Sequence, residues 1–329
     1  MQGFRFDSSS QRWTKRQGQP KNASPTIVAG PLRCATLNVL HDRALRGILF
    51  HDIRYKTICE ELQSLDAHVI GLNEVTPTFL ERLLGYDWVR EKYSVTVVCD
   101  HPDCTDLAAA HGQSGFGNIL LSRIHPVSVE YIPCPGRQRE FHVVSLCLTP
   151  EAGVKPIIVA VASVHFKAFP WINESQRKFE LGALATELTA SGRNFDACIA
   201  MGDFNFHRES ENSSIPHGWH EIPKVVELGP TWQAGPNPMI PKMLPSYNIY
   251  NGFGTGWGWS NCLRLDRVLV HGAGLNLNTV DARLFANCPV YRGEIKSHNS
   301  GEKDLPWKEY LYPSDHFGIT FDISLSCQK

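Results

Sequence analysis

Several apolar runs of this 329-residue chain end in a side chain that can ionise or hydrogen-bond strongly. Asn38 follows Ala-Thr-Leu, Glu74 follows Ile-Gly-Leu-Asn, His165 follows Ala-Ser-Val, Asp203 follows Ile-Ala-Met-Gly, and Asp266 lies inside Leu-Arg-Leu-Asp-Arg-Val-Leu-Val. A buried charge is costly unless it is paired or metal-bound. If these positions meet at one edge of the sheets, they make a cleft of carboxylates, amides and imidazoles with no thiolate among them. Such a donor set suits Mg²⁺, with Mn²⁺ as a substitute, because both prefer oxygen ligands and keep several waters. Hydrolysis of a phosphate ester uses all of these groups together. A metal neutralises the anion, a carboxylate takes a proton from water, and imidazoles stabilise developing charge or protonate the leaving oxygen.

The elements that must position these residues are short strands alternating with turn signals and two clear helices. Cys34 to Val39 and His68 to Val75 read as buried strands. Between them, Asp52 to Leu65 places Ile58, Leu62 and Leu65 on one face of a helix. Pro and Gly separate further strands at Gly117 to Ser122, Val127 to Ile132, Phe141 to Leu148 and Ile157 to His165. Asn173 and Gln176 have the spacing of a capping box before a helix that runs to about Ala190. Cys198 to Met201, Leu263 to Val270 and Phe317 to Leu325 complete the strands. Many strands with helices on their outer faces predict a two-sheet αβ sandwich.

Composition narrows the class further. With 32 basic and 33 acidic residues, 42% hydrophobic residues and a net charge of −1, the chain is globular, and no overall field draws it to polyanions. Any such partner must be held by a local patch. The longest apolar run, Ile157 to Val164, is far shorter than a bilayer requires, and no apolar block follows Met1, so no membrane partner is expected. Ten dispersed Cys suit a reducing compartment. The expected location is therefore intracellular, nuclear or cytoplasmic. Residues 1–24, with five Lys/Arg and one Asp, read as a flexible basic tail, with a mitochondrial presequence as the alternative, and residues 25–329 as the catalytic domain. The Cys99, His101, Cys104, His111 cluster lacks the spacing of the common zinc sites.

Taken in order, Thr36-Leu-Asn38, Leu72-Asn-Glu74-Val, Ser163-Val-His165, Gly202-Asp203-Phe-Asn205, Leu265-Asp266-Arg267 and Ser314-Asp315-His316-Phe-Gly resemble the motif series of the endonuclease/exonuclease/phosphatase superfamily, the DNase I-like fold. Within it, Gly115-Phe-Gly-Asn-Ile-Leu-Leu-Ser, Gly202-Asp-Phe-Asn-Phe-His-Arg-Glu, Glu227-Leu-Gly-Pro-Thr-Trp232 and Cys262-Leu-Arg-Leu-Asp-Arg look most like the tyrosyl-DNA phosphodiesterase 2 branch. The resemblance implies a four-layer αββα sandwich. It implies Glu74 as principal metal ligand, with Asn38 supporting the ion and a phosphate oxygen and Asp315 nearby. It makes Asp203, with Asn205 beside it, the group that deprotonates the attacking water. His316 would contact the phosphate with its ring held by Asp266, and His165 would be a second phosphate contact.

Two stretches depart from the relatives. Leu40 stands where they carry a carboxylate, with His41 and Asp42 next, and Phe166-Lys167-Ala168 replaces Leu-Glu-Ser after the third-motif His. Each motif residue also has a plainer reading: an Asx-turn for Asp203 and Asn205, a helix N-terminal charge for Glu74, a satisfied buried imidazole for His165, and an ion pair with Arg267 for Asp266. Core packing is the default for Trp232, Trp257 and Trp259, against a stacking wall along the Gly-rich stretch 251–258. The expectation is a monomeric Mg²⁺- or Mn²⁺-dependent phosphodiesterase acting by in-line water attack on a 5′-tyrosyl or similarly blocked 5′ end of DNA. A phosphatase or phosphodiesterase acting on a small molecule, inositol phosphate or lipid headgroup is the first alternative. An inactive interaction module of the same fold is the second.

Overall fold

The computed structural model describes residues 3–15, 25–28, 30–41, 50–98, 115–137, 139–149, 155–168, 173–233, 262–272, 275–290 and 311–327. The Cys99 to His111 cluster, Asp42, and the stretch with Trp257 and Trp259 lie outside the described residues. In chain order the elements are β1 (Phe4–Asp7), β2 (Arg12–Lys15), β3 (Thr26–Ile27), β4 (Leu32–Asn38), α1 (His51–Leu65), β5 (Val69–Val75), α2 (Pro77–Gly85), α3 (Asp87–Lys92), β6 (Ser94–Val95), β7 (Gly117–Ser122), β8 (Ser128–Pro133) and β9 (Glu140–Thr149). They continue with β10 (Ile157–His165), α4 (Glu174–Thr189), β11 (Ala197–Asp203), a 3₁₀ turn (Glu209–Ser214), β12 (Trp219–Glu221), α5 (Pro223–Val226), β13 (Trp232–Gln233), β14 (Cys262–Leu263), β15 (Asp266–Gly272), β16 (Leu275–Phe285) and β17 (Gly318–Cys327).

One sheet runs β16-β17-β4-β5-β7-β6-β1-β2, and a second runs β12-β15-β11-β10-β9-β3 with β8 paired to β9. Strand alternation sorts the side chains into layers. Ala35, Leu37, Ile70 and Leu72 face Ile58 and Leu62 of α1 and Phe79 and Leu83 of α2. Cys34 and Val69 point the other way, into the layer between the sheets, where they join Val159, Val161, Ile199 and Met201. Ala160, Ala162, Val164 and Ala200 form the outer face of the second sheet, closed by Leu181, Leu184 and Leu188 of α4. Helices, sheet, sheet and helix make the expected four-layer αββα sandwich.

Several expectations change. Residues 4–15 are not a flexible tail: β1 and β2 form a hairpin whose first strand pairs with β6. Phe4 is buried, Trp13 packs edge-on against Phe6, and the Arg90 guanidinium covers the Phe6 ring. Alternating Phe4, Phe6 and Trp13 supply an apolar face that the polar composition of the segment conceals; residues 16–24 lie outside the described residues. The capping box at Asn173 does not form, because Gln176 donates instead to Pro135 O and to Glu180. The strand expected over 263–270 divides, with Cys262–Leu263 pairing to β13 and Asp266 opening β15.

The turn after β11 is held by a buried bidentate ion pair. Arg177 of α4 donates through Nε and Nη2 to Glu211 at 2.6 and 2.9 Å, and Glu211 Oε1 also accepts the main-chain N–H groups of His207 and Arg208. Removing one partner strands a buried charge, so Arg177→Met is expected to cost about 3–5 kcal/mol of stability. Urea denaturation measures it, and a loss below about 1 kcal/mol would contradict a supporting role for this pair.

Candidate active site

Register brings the polar strand ends together. Asn38 lies opposite Asn73 across the parallel β4–β5 pair, immediately before Glu74. In the second sheet, His165 lies opposite Asp203, and Asp203 lies opposite Asp266. The two rows face each other at one rim. Asn38 Nδ2 donates to Glu74 Oε1 at 3.2 Å and to Asp203 Oδ2 at 3.1 Å, joining carboxylates from different sheets. Beneath it, the Asp203 N–H donates to Asn73 Oδ1 at 3.1 Å, and Asn73 Nδ2 donates to Asn118 Oδ1 and Ser163 Oγ.

Close approach of β11 to β10 depends on Gly202. Its φ is +142°, and a Cβ there would meet Val164 O at 2.1 Å. Three side-chain-bearing residues at the rim also adopt left-handed backbone: Leu40 (φ 56°), Glu74 (φ 58°) and Asn205 (φ 51°). Glu74 lies where the β5–β7 register shifts, so a bulge re-aims its side chain. Such conformations cost on the order of 1–3 kcal/mol each and persist where surrounding contacts fix them. For Asn205, its N–H donates to Asp203 Oδ1 at 2.9 Å and its side chain to Phe166 O. The Asx-turn reading therefore holds for this pair alongside its place in the cleft.

His316 and Asp315 arrive on the segment before β17. Ser314 Oγ donates to Asn38 O at 2.6 Å, and Arg54 of α1 reaches both Val39 O and Pro313 O, so β4 and this segment are tied together. His316 Nδ1 is 2.8 Å from Asp266 Oδ2, and its Nε2 is 3.8 Å from Asp203 Oδ2. His165 Nε2 is 3.6 Å from Asp203 Oδ2 and 3.9 Å from Glu74 Oε1. All eight expected site residues, Asn38, Glu74, His165, Asp203, Asn205, Asp266, Asp315 and His316, are thus linked by direct contact, by strand register or by the charge of a neighbour.

The two imidazoles are driven in opposite directions. Burial, with the cations Arg139 and Arg137, holds the His165 pKa well below its ordinary value. Burial also opposes charge on His316, but the carboxylates of Asp266, Asp315 and Asp203 overcome it and hold that pKa well above normal. Asp203 is pushed up to about 7 by burial, with His316 pulling it down and Asp266 raising it. Burial raises Asp315 as well, against the pull of His316. A neutral and a charged imidazole therefore flank a carboxylate poised to exchange a proton near neutrality.

Among the described residues, no three His, Cys, Asp or Glu are grouped so as to enclose a metal ion by themselves. An ion such as Mg²⁺ uses one or two carboxylates and completes its shell with water and substrate oxygens. Glu74, with Asp315 close enough to feel its charge, fits that donor chemistry. Asn38 differs from expectation, since its Oδ1 accepts the Leu40 N–H and its amide nitrogen faces the carboxylates. In this arrangement it holds Glu74 in place instead of offering an oxygen.

Three further residues line the site. Phe116 stacks on His41 with centroids 4.4 Å apart, and the Arg139 guanidinium sits over the same ring at 4.3 Å. Arg139 also reaches His165 Nδ1 at 3.4 Å. The sequence shows His41 only as a neighbour of Leu40 and Phe116 only inside the Gly115 to Ser122 stretch, and nothing in it marks Arg139, because lone Phe, His and Arg residues carry no spacing signal. Leu40 is buried with Leu311, Tyr312 and Phe317, and Phe166 is buried against Phe141 and Phe204. Trp232 is buried with Leu263 and Leu265, as core packing predicts.

Comparison with known proteins agrees with this geometry. The Endonuclease/Exonuclease/phosphatase family profile matches residues 35–316, and the chain belongs to that family. Its members are generally metal-dependent phosphoester hydrolases. Comparison of the sequence with curated proteins gives no match. Among solved structures, a humanized Danio rerio TDP2 carrying 14 mutations superimposes with a TM-score of 0.59 at 16% identity, covering 89% of this chain and 98% of that one. D. rerio TDP2 complexed with a single-strand DNA product gives 0.58 at 16% identity, with 89% and 98% covered. The human Nocturnin catalytic domain with bound sulfate gives 0.55 at 17%, covering 91% and 96%. These likenesses establish the shared fold.

Just beyond Asn205, burial, with Arg177 and His316, lowers the His207 pKa from 6.5 to about 3. In the unfolded chain it titrates near ~6.5, so the unfolded state binds more protons between those values. The stability carried by neutral His207 is thus complete above pH ~6.5 and is lost as pH falls. Urea titrations in chelator at pH 7.5 and 5 are expected to show wild type losing on the order of 1 kcal/mol more than His207→Gln; equal losses would refute the assignment.

Proposed function

We propose that this chain is a divalent-metal-dependent phosphodiesterase that cleaves a 5′-tyrosyl or similarly blocked 5′ phosphodiester on DNA by in-line attack of water, leaving a 5′-phosphate. The observation that carries this reading is the single rim on which Asn38, Glu74, His165, Asp203, Asp266 and His316 meet. When bound, the ion neutralises phosphate charge, and Glu74 and Asp315 are the carboxylates to hold it. Asp203, oriented by Asn38 and Asn205, takes the proton of the attacking water. His316, kept cationic by Asp266, stabilises the charge that builds on phosphorus oxygens, and neutral His165 donates a second hydrogen bond. Ser314 is already engaged with Asn38 O, which favours water over a serine nucleophile.

Arg139, 3.4 Å from His165 Nδ1 and over the Phe116 ring, places a cation beside the reacting centre. A guanidinium there offers positive charge to a departing phenolate. The fold likeness to TDP2 structures, one of which contains single-stranded DNA product, points the same way. The near-neutral charge of the chain favours the alternative of a small phosphate ester.

Activity is expected to require added Mg²⁺ or Mn²⁺. Asp203→Asn should lower kcat by about 10² to 10⁴, and Glu74→Gln should abolish turnover at ordinary Mg²⁺ while both proteins still melt cooperatively. Full turnover in excess chelator, or wild-type rates in either variant, would remove the basis of these roles.

The substrate is tested separately by comparing release of tyrosine from a 5′-tyrosyl oligonucleotide with phosphate release from inositol phosphates and phosphomonoesters. The oligonucleotide should be preferred, and its binding should weaken with salt in proportion to the phosphates contacted. Preference for the small esters without a salt slope would establish the alternative.

A further inference from the structure

His41 follows the buried Leu40 and belongs to no motif, yet it touches the proposed metal carboxylate twice. Its main-chain N–H donates to Glu74 Oε2 at 3.2 Å, and its ring Nε2 lies 3.7 Å from the same oxygen. The ring lies nearly parallel to Phe116, 13° from coplanar at a centroid distance of 4.4 Å, so it is held flat against a residue that also stacks on His165. Glu74 Oε1 is meanwhile taken by Asn38. One carboxylate is thus gripped from two sides, by an amide on one oxygen and by His41 on the other. The ring's Nδ1 is buried and takes no hydrogen bond among the described residues.

We propose that His41 is a positioning residue for Glu74, holding Oε2 so that the carboxylate stays aimed into the cleft and receives a divalent ion without rearranging. The inference rests on the reading of Glu74 as a metal ligand and adds a residue to it. Neighbours that orient a ligating group typically account for 10- to 100-fold in metal affinity. The main-chain bond survives every substitution, so side-chain variants test the ring alone.

The experiment is Mn²⁺ binding to the full chain without substrate, followed by water-proton relaxation, for wild type, His41→Phe and His41→Gln. His41→Phe keeps a flat ring against Phe116 but loses the nitrogens, and it should weaken Mn²⁺ binding about 10-fold or more. His41→Gln keeps a donor and should stay within about 3-fold of wild type. If His41→Phe fails to melt cooperatively, His41→Leu replaces it with the same expectation. Wild-type affinity in the variant lacking nitrogen would overturn the proposal and leave the metal reading intact. Absence of Mn²⁺ binding by wild type would overturn both.

Discussion

The cleft depends on holding carboxylates from two different sheets within reach of one amide. Asn38 Nδ2 donates to Glu74 Oε1 and Asp203 Oδ2 together, and Asn73 accepts the Asp203 main-chain N–H from the first sheet. Like charges brought this close and buried repel each other and lose hydration, a cost that protein interiors tolerate only when hydrogen bonds and counter-charge offset it. The sandwich meets that cost by setting donors on the facing sheet. A one-residue slip in the pairing of a strand within its sheet would turn its end residue to the other face.

The same economy explains the two imidazoles. Burial, and then the nearby Arg139 and Arg137, disfavour positive charge on His165 at the end of β10, whereas for His316 the carboxylates of Asp266, Asp315 and Asp203 outweigh burial. Identical side chains in one cleft are therefore pushed in opposite directions. A site that must both accept a proton and stabilise a growing anion needs that asymmetry. Asp266 supplies the fixed negative end of it, through its 2.8 Å contact with His316 Nδ1.

Around this centre the framework keeps the rim rigid. Left-handed backbone at Leu40, Glu74 and Asn205 would relax in a looser protein. It is held by Arg54, which ties the end of β4 to the segment before β17, and by the Arg177–Glu211 pair behind the turn that follows Asp203. Leu40 fills an apolar pocket with Leu311, Tyr312 and Phe317, and His41 occupies the flank of Glu74 beside it. Phe116 then links His41, Arg139 and His165 into one continuous wall.

What the sequence determined by itself was the set of strand-end residues and the layered class. Burial forces apolar alternation on strands, and a charged residue terminating such a run is rare enough to read. Hence Gly117–Ser122 and Ile157–His165 match the expected strands residue for residue, and Asn38, Glu74, His165, Asp203 and Asp266 could be picked out before their geometry was known, whereas His316 and Asp315 came only with the family resemblance. The N-terminal hairpin was hidden because its stability comes from Phe4, Phe6 and Trp13 packing on elements far along the chain. Asn173 does sit at the N-cap, but the capping box expected there is missing because Gln176 found better partners in Pro135 and Glu180. His41, Phe116 and Arg139 carry no local pattern that gives them a place in the site. Their meaning arises only when loops from three distant segments close on one another, and that closure is decided by tertiary packing, which no spacing along the chain encodes.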